Sequence, residues 1–440
     1  MKMKYIKKLI PIFALLMLLG GCGAAETTAE ETTASSGIIQ PGAKKSTPEV
    51  EYVIKKKDVF SNRDFDASYT GQTDIDLGKE SGDVTLSGGV WRVYGKLKGS
   101  IIIDAGNEKV QLVLAGAEIQ AESAPAIYIK SADKVFITLE KDYSSSLSVT
   151  GSGFSGDADG CIYSKADLTI NGEGILEISS PAIGINCRDD MIITGGNIRI
   201  DSDGKGIVGK DCVGIGGGTL NIASGSTGIY SSNDTDAGRG YIYILDGDIF
   251  IDAGGDGLIA ENFAAVCGGN ISVINSYEAL EAKNVYVYSG NLWLNAKDDG
   301  INASVGKSCT VDIYDGNIFI NAYGDGIDSD GEITVNGGCI YISGPVIEAE
   351  SAIDFGTAGY VNGGTVIAAG WDGMMMNPDS GTQYSGLFVY DEVQSAGSVI
   401  SVYDAGGSKL AEFEAEKEFK SVVVSAEGFD EGGRVTVTAG

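Results

Sequence analysis

Histidine is absent from all 440 residues. That removes the Ser-His-Asp and Cys-His devices of nucleophilic catalysis, which need an imidazole as base. Basic residues are scarce: 31 Lys and Arg stand against 61 Asp and Glu, a formal net charge of -30. Four lysines fall within the first 21 residues, and removing their charges leaves about -34 from Cys22 onward. Such a surface repels nucleic acid, whose binding needs Lys/Arg patches, and it suits bound cations. Proline is sparse, at 7 residues beside 65 glycines, with no collagen period. That balance fits many tight turns between strands. No amphipathic helical stretch of useful length occurs. CxxC and CxxH spacings are missing too, which excludes the common zinc sites. The internal cysteines, Cys161, Cys187, Cys212, Cys267, Cys309 and Cys339, lie near coil anchors or strand ends. Neighbours could form one bridge between coils, but buried free thiols acting as small apolar residues fit better.

Only one apolar run stands out, Leu9–Leu19, and it is too short to span a membrane securely. Lys2, Lys4, Lys7 and Lys8 precede it, and Leu19-Gly20-Gly21-Cys22 follows. The arrangement resembles a bacterial lipoprotein signal, residues 1–21, with Cys22 as the lipidated residue. Residues 22–49, rich in Thr, Glu and Ala, read as a flexible tether.

What the chain has in abundance is a repeat near 22 residues. A small residue followed by an aliphatic one recurs at Cys161-Ile162, Gly184-Ile185, Gly206-Ile207, Gly228-Ile229, Gly257-Leu258, Ala279-Leu280, Gly300-Ile301, Gly326-Ile327 and Ala352-Ile353. A period of 20–30 residues with strand-type filling means one solenoid coil per repeat. Segments such as MIITGGNIRID (191–201) and TVDIYDGNIFINA (310–322) alternate apolar and polar residues around a Gly-rich turn. The fold class is therefore all-β: a parallel β-helix over residues 50–384, with a small antiparallel β cap over 385–440. A Greek-key array would not give so regular a period.

Stacking turns sequence positions into columns. The residue before each anchor runs Lys205, Thr227, Asp256, Glu278, Asp299, Asp325. Just after the later anchors come Glu281, Asn302, Asp328 and Asp354, with Asp298 and Asp330 beside them. Coils lie about 4.8 Å apart, so stacked carboxylates repel unless a cation intervenes. Calcium takes six to eight hard oxygens and is the expected ion. A second acidic cluster, Asn233, Asp234 and Asp236, lies in the longest insertion between anchors. A different column, facing outward on the last strand of each coil, carries Phe250, Trp293, Phe319 and Tyr341. Such a row can stack sugar rings, or it can pack beneath the cap.

Catalysis finds little support. A polysaccharide lyase needs Arg or Lys as base, and Arg188, Arg239 and Lys297 sit in no distinctive motif. A glycosidase needs a carboxylate pair at a set separation, which a ladder supplies by geometry alone.

AIYIKSADKVFITL (126–139), GRGYIYILDGDIFIDAGGDGL (238–258), KDDGINAS (297–304), NAYGDGIDSDGEITVNGG (321–338) and VNGGTVIAAGWDGM (361–374) resemble the clostridial β-helix family of carbohydrate-binding domain-containing proteins. The likeness runs from about residue 50 to 440. It implies an extracellular, calcium-binding, right-handed parallel β-helix similar to pectate lyases in fold. It also implies binding of cellulose-like or acidic, pectin-like polysaccharide. The DDGIN and DGIDSDG motifs map that role onto Asp298, Asp299, Asn302, Asp325, Asp328 and Asp330; Lys205 and Thr227 depart from the acidic pattern. The expectation is a monomeric, lipid-anchored protein on the outer face of a bacterial envelope. It binds polysaccharide through Ca2+ without catalysis and does not bind nucleic acid. A calcium-dependent pectate-type lyase and a structural adhesin or spacer are the alternatives.

Overall fold

Each repeat folds into three short strands joined by bends. In the coil of Gly206 these are Ile207–Gly209, Cys212–Ile215 and Thr219–Ser224. All three pair in parallel with their counterparts in the coils on either side. Ile207 lies between Ile185 and Ile229, Val213 between Met191 and Ile242, and Leu220 between Ile198 and Ile249. The computed structural model describes residues 52–304 and 308–440, with the backbone of Thr32–Thr33 and Ser35–Ser36. The lipoprotein signal, Cys22 and the rest of the tether lie outside the described residues. About twelve turns stack into an all-β parallel β-helix, as the repeat predicts.

Period-two alternation supplies the interior. Ile198, Leu220, Ile249, Ile271, Leu292, Ile318 and Ile340 form one inward column, each almost wholly buried. Burying one such side chain stabilises by about 1.5–3 kcal/mol. The anchor residue is small for a packing reason. A Cβ on Gly206 would meet Ile222 Cγ2 at 2.4 Å and the Gly228 carbonyl at 2.5 Å. The turn before each third strand needs a glycine for a different reason: Gly218 and Gly316 hold φ of +94° and +115°, where other residues are strained. All six internal cysteines are free thiols.

On the surface an amide ladder runs down the first position of the third strand. Asn270 donates to Asp248, Asn291 to Asn270 and Asn317 to Asn291, each at 2.8 Å.

The C-terminal region closes the stack. Phe419–Ser425 pairs antiparallel with the last coil strand, Thr365–Gly370, and Gly386–Gln394 pairs with Phe419–Ser425. Val399–Tyr403, Lys409–Glu414 and Arg434–Thr438 form a second, small sheet. An open solenoid end would expose unpaired strand edge, and this cap covers it. Thr32–Thr33 and Ser35–Ser36 add as short antiparallel strands to Arg434–Thr438 and Gly386–Gln394, so this part of the expected tether pairs with the cap. Lys417 bolts the cap down. Its buried ammonium donates to the Ala322 carbonyl at 2.7 Å and to Asn321, and lies 4.1 Å over the Tyr323 ring. Burial pulls its pKa down to about 8.

The β-helix starts at Thr73 rather than at residue 50. Residues 52–72 form an external strap that runs back along the face of the second strands. Tyr52 stacks on Tyr288 at 4.3 Å, Phe60 meets Tyr243 at 5.8 Å, and Tyr69 donates to Glu140 at 2.6 Å. Between them Asp64, 1% exposed, reaches Lys134 at 2.8 Å and Thr169 at 2.6 Å. Apolar residues come in two short clusters, Tyr52-Val53-Ile54 and Val59-Phe60, and at Phe65, without the sustained alternation of a coil strand, which suits lying on a surface rather than filling a coil.

Candidate functional site

The column before the anchors is a true ladder. Each anchor N–H donates to the carbonyl of the ladder residue one coil on: Gly228 to Asp256 at 2.9 Å, Gly257 to Glu278 at 2.8 Å, Ala279 to Asp299 at 3.1 Å and Gly300 to Asp325 at 2.9 Å. Side chains add bonds that run the other way, from the later coil's N–H back to the earlier coil's carboxylate. Asp256 Oδ1 accepts the Glu278 N–H at 3.2 Å, Asp299 Oδ1 that of Asp325 at 2.7 Å, and Asp325 Oδ1 that of Ser351. One carboxylate oxygen of each is thus committed to the backbone, and the second turns to its side-chain neighbours: that of Asp299 accepts from Asn302.

Beside the ladder runs a second row in register: Glu281 pairs with Asn302, Asn302 with Asp328 and Asp328 with Asp354. Asn302 donates to Glu278 Oε1 at 3.2 Å and to Asp299 Oδ2 at 3.3 Å. Glu278 Oε2 and Asn302 Oδ1 remain buried with no hydrogen-bond partner. One coil further on, carboxylate oxygens of Asp325, Asp328 and Asp354 lie within 4.8 Å of one another. Asp325 is 6% exposed.

Electrostatics follow from that crowding. Burial, then repulsion from Glu281, pushes Glu278 up to about 8. Burial, then the neighbouring Asp299, Asp354 and Asp328, raises Asp325 to about 8 despite the Ser351 N–H. Asp299 rises to about 7 and Asp328 to about 6, burial leading in both. Burial also raises Glu281, Asp354 and Glu350. This is an oxygen-rich, charge-frustrated row; its donor set fits a hard cation.

The remaining sequence candidates fall in three places. Asp298 takes the Tyr277 hydroxyl at the ladder's edge, and Asp330 ends the strand Ile327–Ser329. Asp234 and Asp236 lie in the loop after Ile229–Ser231, where Asp234, like Glu281, acts on the Tyr230 hydroxyl. Their loop spends Asn233 Oδ1 on the N–H groups of Thr235 and Asp236, and Asp236 on Gly238, so these oxygens hold a turn. The aromatic column is in register and offset-stacked: Trp293–Phe319 at 5.8 Å, Phe319–Tyr341 at 5.2 Å, then Phe413 of the cap 5.2 Å from Tyr341. Each ring spends part of its face on its neighbour, and Tyr341 packs against the cap. Phe250 stands apart across Ser272 and is 44% exposed.

Sequence reasoning missed two groups. Glu350 approaches the ladder from the loop before Ser351, and Asp325 hydrogen-bonds to it. Asp167, Asp189 and Asp190 converge within 4.8 Å at the bend before the second strand. Arg239 binds Asp190 at 3.1 Å and approaches Asp211 at 3.8 Å. The consecutive pair Asp189-Asp190, one coil after Asp167, was the readable signal.

A carbohydrate-binding domain-containing protein of Acetivibrio thermocellus is 31% identical over 204 residues, 44% of this chain. The match spans 64% of that relative's length. The solved structure of the polysaccharide lyase-like protein from C. thermocellum, a gadolinium derivative, is similar at 25% identity with a TM-score of 0.42. That similarity covers 60% of this chain and 96% of that one. The family profile described as carbohydrate-binding domain-containing protein matches residues 80–304 and 274–440. With most of the solenoid and the cap inside those matches, the chain belongs to the family of carbohydrate-binding domain-containing proteins.

Proposed function

We propose that the protein is a cell-surface lipoprotein that binds polysaccharide through a calcium-bearing groove along the acidic ladder, without catalysing its breakdown. The observation that carries this reading is the pair of buried, unpartnered oxygens on Glu278 and Asn302 among stacked carboxylates. A buried acceptor without a donor costs about 1–3 kcal/mol, more when charged, and a divalent cation removes that cost. Glu278, Glu281, Asp299 and Asn302 would hold one ion, and Asp325, Asp328 and Asp354 another. Bound calcium would neutralise the ladder and offer coordination positions to ligand oxygens.

The chain's own residues do the rest. Backbone N–H groups fix the direction of Asp256, Asp299 and Asp325. The aromatic row of Trp293, Phe319 and Tyr341 lies on the last strand face, lining a small cavity of about 70 Å³ with Asn321 and Glu416. It is a second contact surface for cellulose-like chains. The non-catalytic reading is preferred because, of the bases open to a lyase, Arg239 is engaged by Asp190 and Asp211, and Arg188 and Lys297 sit in no distinctive motif.

Binding of the full chain to polygalacturonate, in calcium and in chelator, tests this. Affinity is expected to fall about tenfold or more on chelation, a loss of ~1.4 kcal/mol or more; equal affinity in the two buffers overturns the calcium-bridged reading. The anchor is tested by Cys22→Ser, which is expected to move the protein from the membrane fraction to the soluble one. An unchanged distribution counts against lipidation.

A further inference from the structure

The ladder column does not begin with acids. Upstream of Asp256 it carries Thr227 and Lys205, and beside them the surface sinks into a cleft of about 310 Å³. Its charged lining consists of Lys205, Lys283, Glu261 and Glu281. That volume is at the small end of ligand sites, enough for one sugar ring rather than a long chain. Lys205 Nζ lies 5.0 Å over the Tyr230 ring, a contact that positions an ammonium without neutralising it. Among the described residues neither Lys205 nor Lys283 forms an ion pair, whereas the cleft's Glu261 already accepts the Tyr230 hydroxyl. Other described lysines also lack an ion pair, but here two of them line one cleft, and the shared cleft is what points to a ligand.

We propose that this cleft is a subsite for one anionic sugar ring, whose carboxylate or sulfate is held directly by Lys205 and Lys283 without a metal. The chemistry of the lining selects that class. A neutral ring would leave both ammoniums facing only dipoles, and a bare anion would meet Glu261 and Glu281. A ring carrying hydroxyls and one anionic group satisfies both, the hydroxyls donating to carboxylates and the anion accepting from ammoniums. Thr227 and Ser304 add neutral hydroxyls at the cleft wall. The inference rests on the carbohydrate reading above but not on its cation. It makes the groove two-part: lysines engage one anionic residue upstream, and the acidic ladder engages others downstream.

The test uses the full chain with 13C-methylated lysines, followed by NMR, and three probes: glucuronate, a glucose sulfate and glucose. Lys205→Gln and Lys283→Gln assign the two resonances. Either anionic probe is expected to shift both resonances in chelator as well as in calcium, and the probe that does so names the group; glucose is expected to leave them in place. The Lys205→Gln, Lys283→Gln double variant is expected to lose about tenfold or more in affinity for the corresponding polymer. Its calcium-binding isotherm should match that of the wild type. Shifts absent with both anionic probes, or shifted equally by glucose, overturn the proposal, as does a double variant with wild-type polymer affinity. Loss of calcium dependence with the lysine shifts intact would count against the calcium-bridged reading and leave this subsite standing.

Discussion

At Asp325 a buried carboxylate accepts a backbone N–H and lies within 4.8 Å of two other carboxylates. The row of Glu278, Asp299, Asp325 and Asp328 holds pKa values of about 8, 7, 8 and 6, above the ordinary values of 4.5 for Glu and 3.8 for Asp. The folded state therefore binds these protons more tightly than the unfolded one. Their stabilising contribution is complete below about pH 4 and is lost as pH rises through 6–8. Metal-free protein should lose thermal stability from this row between pH 5 and 8. Calcium should raise Tm at pH 8 and do little near pH 4, which calorimetry in calcium and in chelator can check. Asp325→Asn keeps the oxygen that accepts from Ser351 and removes the charge. It should raise the chelated protein's Tm at pH 8 by about 1–4 °C and blunt the calcium response. Asp64 behaves oppositely. Burial alone would raise it, but Lys134, Thr169 and Ser61 together hold it below 3.8. Its contribution is present above that value and is lost as pH falls through the lowered one. Asp64→Ala leaves Lys134 facing an apolar gap, and equilibrium denaturation should show a loss of about 3–5 kcal/mol. The ladder was readable because each member keeps a fixed offset from its anchor. Glu350 was not, because it arrives from a loop with no offset to count.

Single coils explain why the anchor tolerates so few residues. The Cβ that Gly206→Ala adds lands 2.4 Å from Ile222 and 2.5 Å from the next coil's carbonyl. The coil must widen, and the variant should lose about 1–3 kcal/mol by denaturant titration. Ala279 and Ala352 fill the same position in later repeats, so the limit is set coil by coil. Strand alternation also put the aromatic column where the sequence expects it, from Phe250 through Tyr341. Its far end was hidden: Phe413 belongs to the cap, and no repeat relates it to Tyr341. The amide ladder from Asp248 to Asn317 also escaped notice, since Asn at a turn is usually explained by the turn itself.

Across the whole molecule, periodicity made the solenoid legible from the coil of Cys161 to the last coil, and the strands after residue 385 made the antiparallel cap legible, while the strap, which has no repeat, had to be seen folded. Phe60 is the strap's main apolar contact, packed with Ile192 and Tyr243. Phe60→Ala should cost about 3–5 kcal/mol. Its signature in native-state hydrogen exchange should be distinctive: strands from Lys134 to Tyr288 opening separately in the variant and together in the wild type. A stack of coils bonded only to their neighbours resembles a zipper, which can run open from either end a tooth at a time. The strap is a seam sewn lengthwise over those teeth, with stitches at Tyr69, Asp64, Phe60 and Tyr52. To open one tooth beneath it, thermal motion must tear the seam, so the middle of the protein should be all closed or all undone, and fraying should fall on the coils that the strap does not cover.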